Sequence, residues 1–294
     1  MFAQFFGNYL LEENYIEKKQ LIEGLKKTKN SRVKLGVLAI DAGYLTAAQV
    51  EKIHAKQAQV DKRIGDIAVE LGYLTNAQVE ELLTNQPARY LLLSQSLLDK
   101  EYMNNSQLEE ALTKFKAKYN LTEEDLSNSQ QGDKLSNVIK SFYKLDDSDS
   151  SVYVGTYIKL LFNNLVRFIG DDFVTVGPER MVLSDSDIKV SQKISGEFST
   201  TTFIQTDEIS LLQFVSRYAG EDIPVLDEYS IAAAQDFLNL HNGLFMVNMS
   251  NDSNIELKLA PPEIANEGLS KEKSYVSIPI MLSFGTVNFI LEKQ

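Results

Sequence analysis

The sequence predicts a multidomain protein in which an all-α helical repeat domain is followed by an α+β domain, with long helices packed on a mixed or antiparallel sheet. Three observations carry this expectation. The first 120 residues align with themselves at an offset of twenty-nine, the signature of stacked supersecondary units. The later residues alternate long helical periodicities with runs rich in β-branched residues, such as FSTTTFIQT over 198–206. Between the two lies DDSDSS over 146–151, read as a polar, flexible break. The expected organisation is a four-unit repeat over 1–120, a helical connector and linker over 121–150, and the α+β domain over 151–294.

Composition narrows the function classes. The 294 residues suffice for two domains of ordinary size. Cysteine is absent, which excludes disulfide and thiolate chemistry and makes a reducing compartment the expectation. No apolar run approaches the length of a membrane span, and MFAQFFGNYLLEEN lacks the basic start of a secretory signal. A cytoplasmic protein is expected. The net charge of −12 is uneven, with residues 1–120 at +1 and residues 121–294 at −13. Such an acidic second half argues against a nucleic-acid partner.

In the repeat, Tyr15, Tyr44, Tyr73 and Tyr102 fall in register, as do Gln20, Gln49, Gln78 and Gln107. Each unit reads as a short helix, a turn at Asn14, Gly43, Gly72 or Glu101, and a second helix opened by a capping residue such as Thr46 or Thr75. The middle units, KLGVLAIDAGYLTAAQVEKIHAKQ over 34–57 and RIGDIAVELGYLTNAQVEELLTNQ over 63–86, are the best preserved, and the outer two look like capping copies. The connector predicts a short helix from LTEED and another over 134–145.

Beyond it, a long helix is predicted over 153–170, strands over 173–176, 180–183, 188–194 and 198–206, and a helix over 210–219 closed by Gly220. After the next helix come strands over 255–259, 275–283 and 286–291, the last two joined by a turn near Gly285. Pro279 within a strand predicts an edge or a bulge.

The stretch from Glu228 to Ile264 holds the strongest functional signal. Ile231, Ala234, Leu238 and Phe245 recur at helical spacing, and Phe237, Leu240, Leu244 and Val247 widen that apolar face. Asp236 and Asn239 then lie one turn apart on the opposite, solvent-facing side, with Gln235, Asn242 and Gly243 extending the polar stripe. A carboxylate beside an amide suits phosphoryl hydrolysis, which needs a water held in line and charge anchored nearby more than covalent help. His54 and His241 are isolated and form no metal site.

This pattern resembles the CheC/CheX family of chemotaxis phosphatases, whose motif is a carboxylate, two residues, Asn, usually Gly four positions on, and Pro after a gap of twenty-two. Asp236, Asn239, Gly243 and Pro262 stand at those positions. The resemblance implies a CheX-like domain that hydrolyses the aspartyl phosphate of a CheY-type response regulator, the Mg²⁺ belonging to the regulator. Asp236 would dock a regulator Lys, and Asn239 would orient the attacking water. Asp236 is one methylene shorter than the usual Glu, and Ala232 stands where many members carry an acid or Ser. The helix over 153–170 resembles the second, pseudo-symmetric helix of the family. Leu160 and Leu161 precede its Asn163 and Asn164, so no second site is expected.

The middle repeats resemble the MshEN domain found at the N-termini of type II secretion ATPases. Some members bind cyclic di-GMP and others dock proteins. The resemblance implies a candidate nucleotide site at Lys34, Gly36, Arg63 and Gly65, the glycines opening backbone N–H groups to phosphate and the cations supplying charge. Three readings follow: a response-regulator phosphatase with a sensory or docking module, a non-catalytic adaptor that binds a response regulator, and a cyclic di-GMP receptor.

Overall fold

The computed structural model describes residues 3–28, 32–84, 89–122, 125, 132–146, 148–177, 187–265, 269–270 and 272–293. Its chain divides into two units, Phe2–Gln131 and Gly132–Gln294.

In the first unit the described residues form eight helices: α1 (Ala3–Glu12), α2 (Lys18–Thr28), α3 (Leu35–Asp41), α4 (Ala47–Gln57), α5 (Ile64–Glu70), α6 (Asn76–Thr84), α7 (Arg89–Asp99) and α8 (Asn105–Lys118). The even-numbered helices begin twenty-nine residues apart. Their turns repeat in detail. Asn14, Gly43, Gly72 and Glu101 are left-handed, with φ of 58°, 69°, 70° and 58°. In each case the tyrosine that follows donates its N–H to the carbonyl five residues back, Tyr15 to Leu10, Tyr44 to Ala39, Tyr73 to Ala68 and Tyr102 to Leu97. This 6→1 closure is why a residue tolerant of positive φ recurs there.

The recurrent glutamines are explained by the next helix start. Gln20, Gln49, Gln78 and Gln107 accept from the backbone N–H of Glu17, Thr46, Thr75 and Asn104 at 2.8–3.0 Å. Each is therefore the N3 partner of a capping box or its half.

In the second unit the described residues form seven strands of one sheet: β1 (Phe173–Thr175), β2 (Ile188–Gly196), β3 (Thr200–Thr206), β4 (Leu257–Leu259), β5 (Glu263–Ile264), β6 (Tyr275–Leu282) and β7 (Gly285–Glu292). Their order is β1-β6-β7-β3-β2-β4, with β5 also on β2. Among the described residues every pairing is antiparallel, one of the two sheet types expected. The strand expected over 180–183 lies outside the described residues. Gly196 has φ +126°, and a Cβ there would sit 2.4 Å from the Glu256 carbonyl oxygen, so only glycine lets β4 approach the end of β2.

Pro279 corrects an expectation, because β6 is an interior strand rather than an edge and carries no bulge. Its carbonyl accepts from Val176 N–H at 3.1 Å, so its nitrogen faces the same way, toward β1. A proline cannot return the second bond of that pair, and β1 stops at Thr175. The ladder to β7 keeps its donors.

The described residues of this unit also form four helices: α9 (Gly132–Phe142), α10 (Asp149–Phe168), α11 (Glu208–Ala219) and α12 (Glu228–Ser253). Helix α9, expected as part of a connector, packs on α10 within the second unit through the buried Leu135, Val138 and Ile139. Of the short helix expected from LTEED, Leu121, Thr122 and Asp125 are described, and of these Asp125 is helical. The polar run read as a flexible break is a helix cap. Ser148 caps α10 by accepting from Ser151 N–H, and hydrogen bonds from Ser148 and Ser151 hold the Asp146 carboxyl down at about 2. Helix α11 packs on β7 and on α12, and α12 lies across β2, β3 and β4 and beside α10. The core between layers is aromatic, with Phe214, Phe237 and Phe289 in mutual ring contact at 5.0–6.1 Å. Among the described residues no helix is long and apolar enough to cross a membrane.

Candidate functional site

Helix α12 starts on a capping box between Asp227 and Ser230 and ends at Asn254, left-handed at φ 54°. Asp236 and Asn239 are both exposed, one turn apart, as their spacing implied. Two other positions on this helix differ from expectation. Asn242 is fully buried rather than part of the polar stripe, and Val247 is 48% exposed rather than part of the apolar face.

Tyr218 on α11 donates its hydroxyl to Asp236 Oδ2 at 2.6 Å. Its ring stands edge-on to Phe237 at 5.3 Å and to Phe168 at 6.1 Å. Burial, with the Asp236 carboxylate second, pushes the Tyr218 phenol up from its ordinary range, so it remains a donor at any physiological pH. One carboxylate oxygen of Asp236 is thereby held against the fold.

The Asn239 amide is held from the sheet. Gln192 Nε2 on β2 donates to Asn239 Oδ1 at 2.7 Å and to the Ala260 carbonyl at 2.8 Å. Gln192 Oε1 accepts from Asn242 Nδ2 at 2.8 Å, and that nitrogen also donates to Thr202 Oγ1 at 2.8 Å. Asn242 Oδ1 accepts from the Tyr157 hydroxyl at 3.0 Å. This satisfaction from α10, β2 and β3 is what lets a buried asparagine sit where an apolar residue would pack.

The loop after β4 fixes the far end of the network. Ala260 N–H donates to Lys193 O and Ala265 N–H to Lys189 O, both at 3.0 Å, so Pro261 and Pro262 lie on a segment tied to β2 at each side. Two successive prolines restrict Ala260 to extended backbone and present its carbonyl to Gln192. On α12, a Cβ built at Gly243 would meet nothing within 4 Å. One turn beyond Asn239, the helix surface is open to close approach.

His241 is fully buried beside this network. Its Nδ1 accepts from Asn164 Nδ2 on α10 at 2.9 Å, and its ring meets Tyr157 edge-on at 4.3 Å. Burial lowers its pKa to about 3. Of the asparagines on α10, Asn164 is thus a core residue and Asn163 is exposed. Neither has a carboxylate three residues before it.

The nucleotide candidates lie in the first unit. Lys34 and Arg63 are the N-cap residues of α3 and α5, and neither makes a side-chain cap. Gly36 and Gly65 are buried, and a Cβ on either would meet Val50 or Val79 at 3.0 Å. Close packing of α3 on α4 and of α5 on α6 therefore explains both glycines. The Lys34 ammonium pairs with Asp99 Oδ1 at 2.7 Å, in a cavity of about 210 Å³ that Glu51 also lines. Two carboxylates in that cavity oppose an anionic ligand.

Sequence reasoning missed Gln192 and Tyr218. Gln192 had a readable signal, since Ile188, Val190 and Ile194 place it on the inward register of β2. Tyr218 had none.

No protein-family model matches the chain, and no curated protein matches its sequence. Among solved structures, the chain is similar to a chemotaxis protein CheX from Desulfovibrio desulfuricans at 14% identity, covering 48% of this chain and 99% of that one with a TM-score of 0.40. It is similar to CheX from Vibrio vulnificus at 16% identity, over 50% and 99% of the two chains, with a TM-score of 0.41. A third similar structure is a CheX–CheY–BeF3–Mg complex from Borrelia burgdorferi, at 16% identity over 48% and 96%, with a TM-score of 0.40.

Proposed function

We propose that the second unit hydrolyses the aspartyl phosphate of a CheY-type response regulator, with Asp236 as docking carboxylate and Asn239 as the amide that orients the attacking water. The observation that carries this reading is that both side chains are exposed one turn apart while each is gripped from the protein side, Asp236 by Tyr218 and Asn239 by Gln192. A fixed pair of that kind holds little conformational freedom to lose on forming the complex. Asp236 Oδ1 is left for a cationic group on the partner. Asn239, whose Oδ1 is taken by Gln192, donates through Nδ2 to the water. The water oxygen bonds to phosphorus as the bond from phosphorus to the regulator's aspartyl oxygen breaks, releasing inorganic phosphate and the carboxylate. Mg²⁺ belongs to the regulator and is no part of this chain's site.

The test is the rate of phosphate loss from a phosphorylated CheY-type receiver at fixed Mg²⁺. Wild type accelerates it, Asn239→Ala loses about 10²-fold of the acceleration with receiver binding retained, and Asp236→Ala loses binding. No acceleration by wild type would sink the phosphatase reading. The second reading, a non-catalytic adaptor, is favoured by one observation. Asp236 is short and Tyr218 occupies one of its oxygens, which limits how far it reaches into a partner. An adaptor binds the phosphorylated receiver and leaves its lifetime unchanged.

Gly243 separates folding from docking. A glycine in a helix interior costs about 1 kcal/mol relative to alanine, and the added methyl meets nothing. Gly243→Ala therefore raises stability by about 0.5–1 kcal/mol in denaturant titration while weakening receiver binding by calorimetry. Stability and binding that both rise would remove Gly243 from the docking face. For the first unit we propose a sensory or docking role. Cyclic di-GMP is the ligand if it raises the melting temperature in wild type and not in Arg63→Ala.

A further inference from the structure

We infer that Gln192 is a positioning residue for the reaction at Asn239, setting which edge of the asparagine amide faces the regulator. This rests on the phosphatase reading above. The inference comes from the polarity of the buried network, which one backbone group dictates. A carbonyl can only accept, so the Gln192 atom 2.8 Å from Ala260 O is the amide nitrogen. The atom of Asn239 that it meets at 2.7 Å is consequently the oxygen. The remaining Gln192 oxygen must accept, which makes the Asn242 atom facing it a nitrogen and leaves Asn242 Oδ1 for the Tyr157 hydroxyl. Reversing any single amide would set two donors or two acceptors face to face, so the orientation is fixed through the whole chain.

Its consequence falls on the exposed end. Asn239 is an exposed side chain whose free rotation about χ2 would present oxygen and nitrogen alternately to solvent. Held through Oδ1, it keeps both Nδ2 hydrogens outward, and among the described residues nothing else takes them. Gln192 is 1% exposed and Asn242 is fully buried, so neither reaches a partner protein. Their effect on a reaction at the surface passes through Asn239. Gln192 accordingly acts on the chemical step, and docking is left to Asp236.

The experiment compares wild type, Gln192→Met and Gln192→Glu on phosphorylated receiver, together with side-chain amide NMR of Asn239 in the full chain. Methionine fills the space without hydrogen bonds. The Asn239 NH2 signal, ordered in wild type, becomes mobile, and kcat falls about tenfold to a hundredfold with KM unchanged. Glutamate replaces the donor by an acceptor when ionised. Its kcat falls at neutral pH and recovers toward wild type as the carboxyl is protonated, which a merely structural role would not produce. Should one variant fail to fold, the other carries the comparison. An ordered Asn239 and an unchanged kcat in whichever variant folds overturn the inference alone. A wild type that orders Asn239 but does not accelerate phosphate loss overturns the phosphatase reading, and this inference with it.

Discussion

Replacing Arg217 by methionine lowers the stability of the second unit by about 3 kcal/mol. The guanidinium on α11 makes a fork to Asp172 on the loop before β1, with Nη1 to Oδ1 at 2.7 Å and Nη2 to Oδ2 at 2.9 Å. Nη2 also donates to Ser283 Oγ at 2.9 Å, and that hydroxyl donates to Asp172 Oδ2 at 3.0 Å. The guanidinium carbon lies over the Phe284 ring, 4.7 Å from its centroid. The Asp172 side chain is only 2% exposed, so removing its partner strands a buried carboxylate, which costs far more than losing a surface pair. Arg217 keeps 20% exposure, and entering water softens the loss to the lower end of the usual range. Lysine does not restore the fork, because it offers a point charge in place of a planar pair of donors. Gly170 is fitted to the same group. At φ +130°, a Cβ there would stand 2.9 Å from Asp172 Oδ1. Denaturant titration measures the effect, and the double variant with Asp172→Asn loses less than the sum of the two. A loss under about 1 kcal/mol would show that the clamp behaves as a surface ion pair. Tyr218 follows Arg217 on α11, so the clamp also bears on the group that holds Asp236.

What could be read from sequence divides by the range of the interactions responsible. The recurrent turns of the first unit were legible because they are local. A left-handed residue, a 6→1 bond and a capping glutamine all lie within a few residues of one another, and such constraints leave periodic marks. Asp236 and Asn239 were legible for the same reason, since helical spacing alone puts them on one face.

Asn242 was not legible. Its partners Tyr157, Gln192 and Thr202 lie 85, 50 and 40 residues away, so a polar residue that belongs in the core looks identical in sequence to one that belongs outside. Val247 is the converse case, an apolar side chain left at the surface of α12. Pro279 can sit inside the sheet because what matters is the side to which its missing donor points, here the end of β1. The two-residue β5 is too short to show any alternation. Helix α9 was visible as an element, but its membership of the second unit depends on α10 offering it an apolar face.

His241 makes the second unit acid-sensitive over a window that its burial defines. An unfolded histidine titrates near 6.5, while burial lowers the folded value to about 3. Between those two values the unfolded chain binds one more proton than the folded one, so stability falls as pH falls. The contribution is complete above about pH 6.5, declines by about 1.4 kcal/mol per pH unit below it, and stops changing once the folded ring itself protonates near 3. At pH 5 the loss is about 2 kcal/mol. Geometry agrees with that direction. Asn164 Nδ2 faces Nδ1 at 2.9 Å, so a proton added at Nδ1 would meet a donor, and among the described residues Nε2 has no partner that could stabilise a charged ring. The check is the stability of wild type minus that of His241→Asn as a function of pH, because an asparagine oxygen can take the Asn164 bond in place of Nδ1. The variant is less stable at pH 7, having lost ring packing against Tyr157, and the difference narrows by about 2 kcal/mol at pH 5. A constant difference would mean that the folded ring takes up its proton as readily as the unfolded one, with Asn164 turned to receive it.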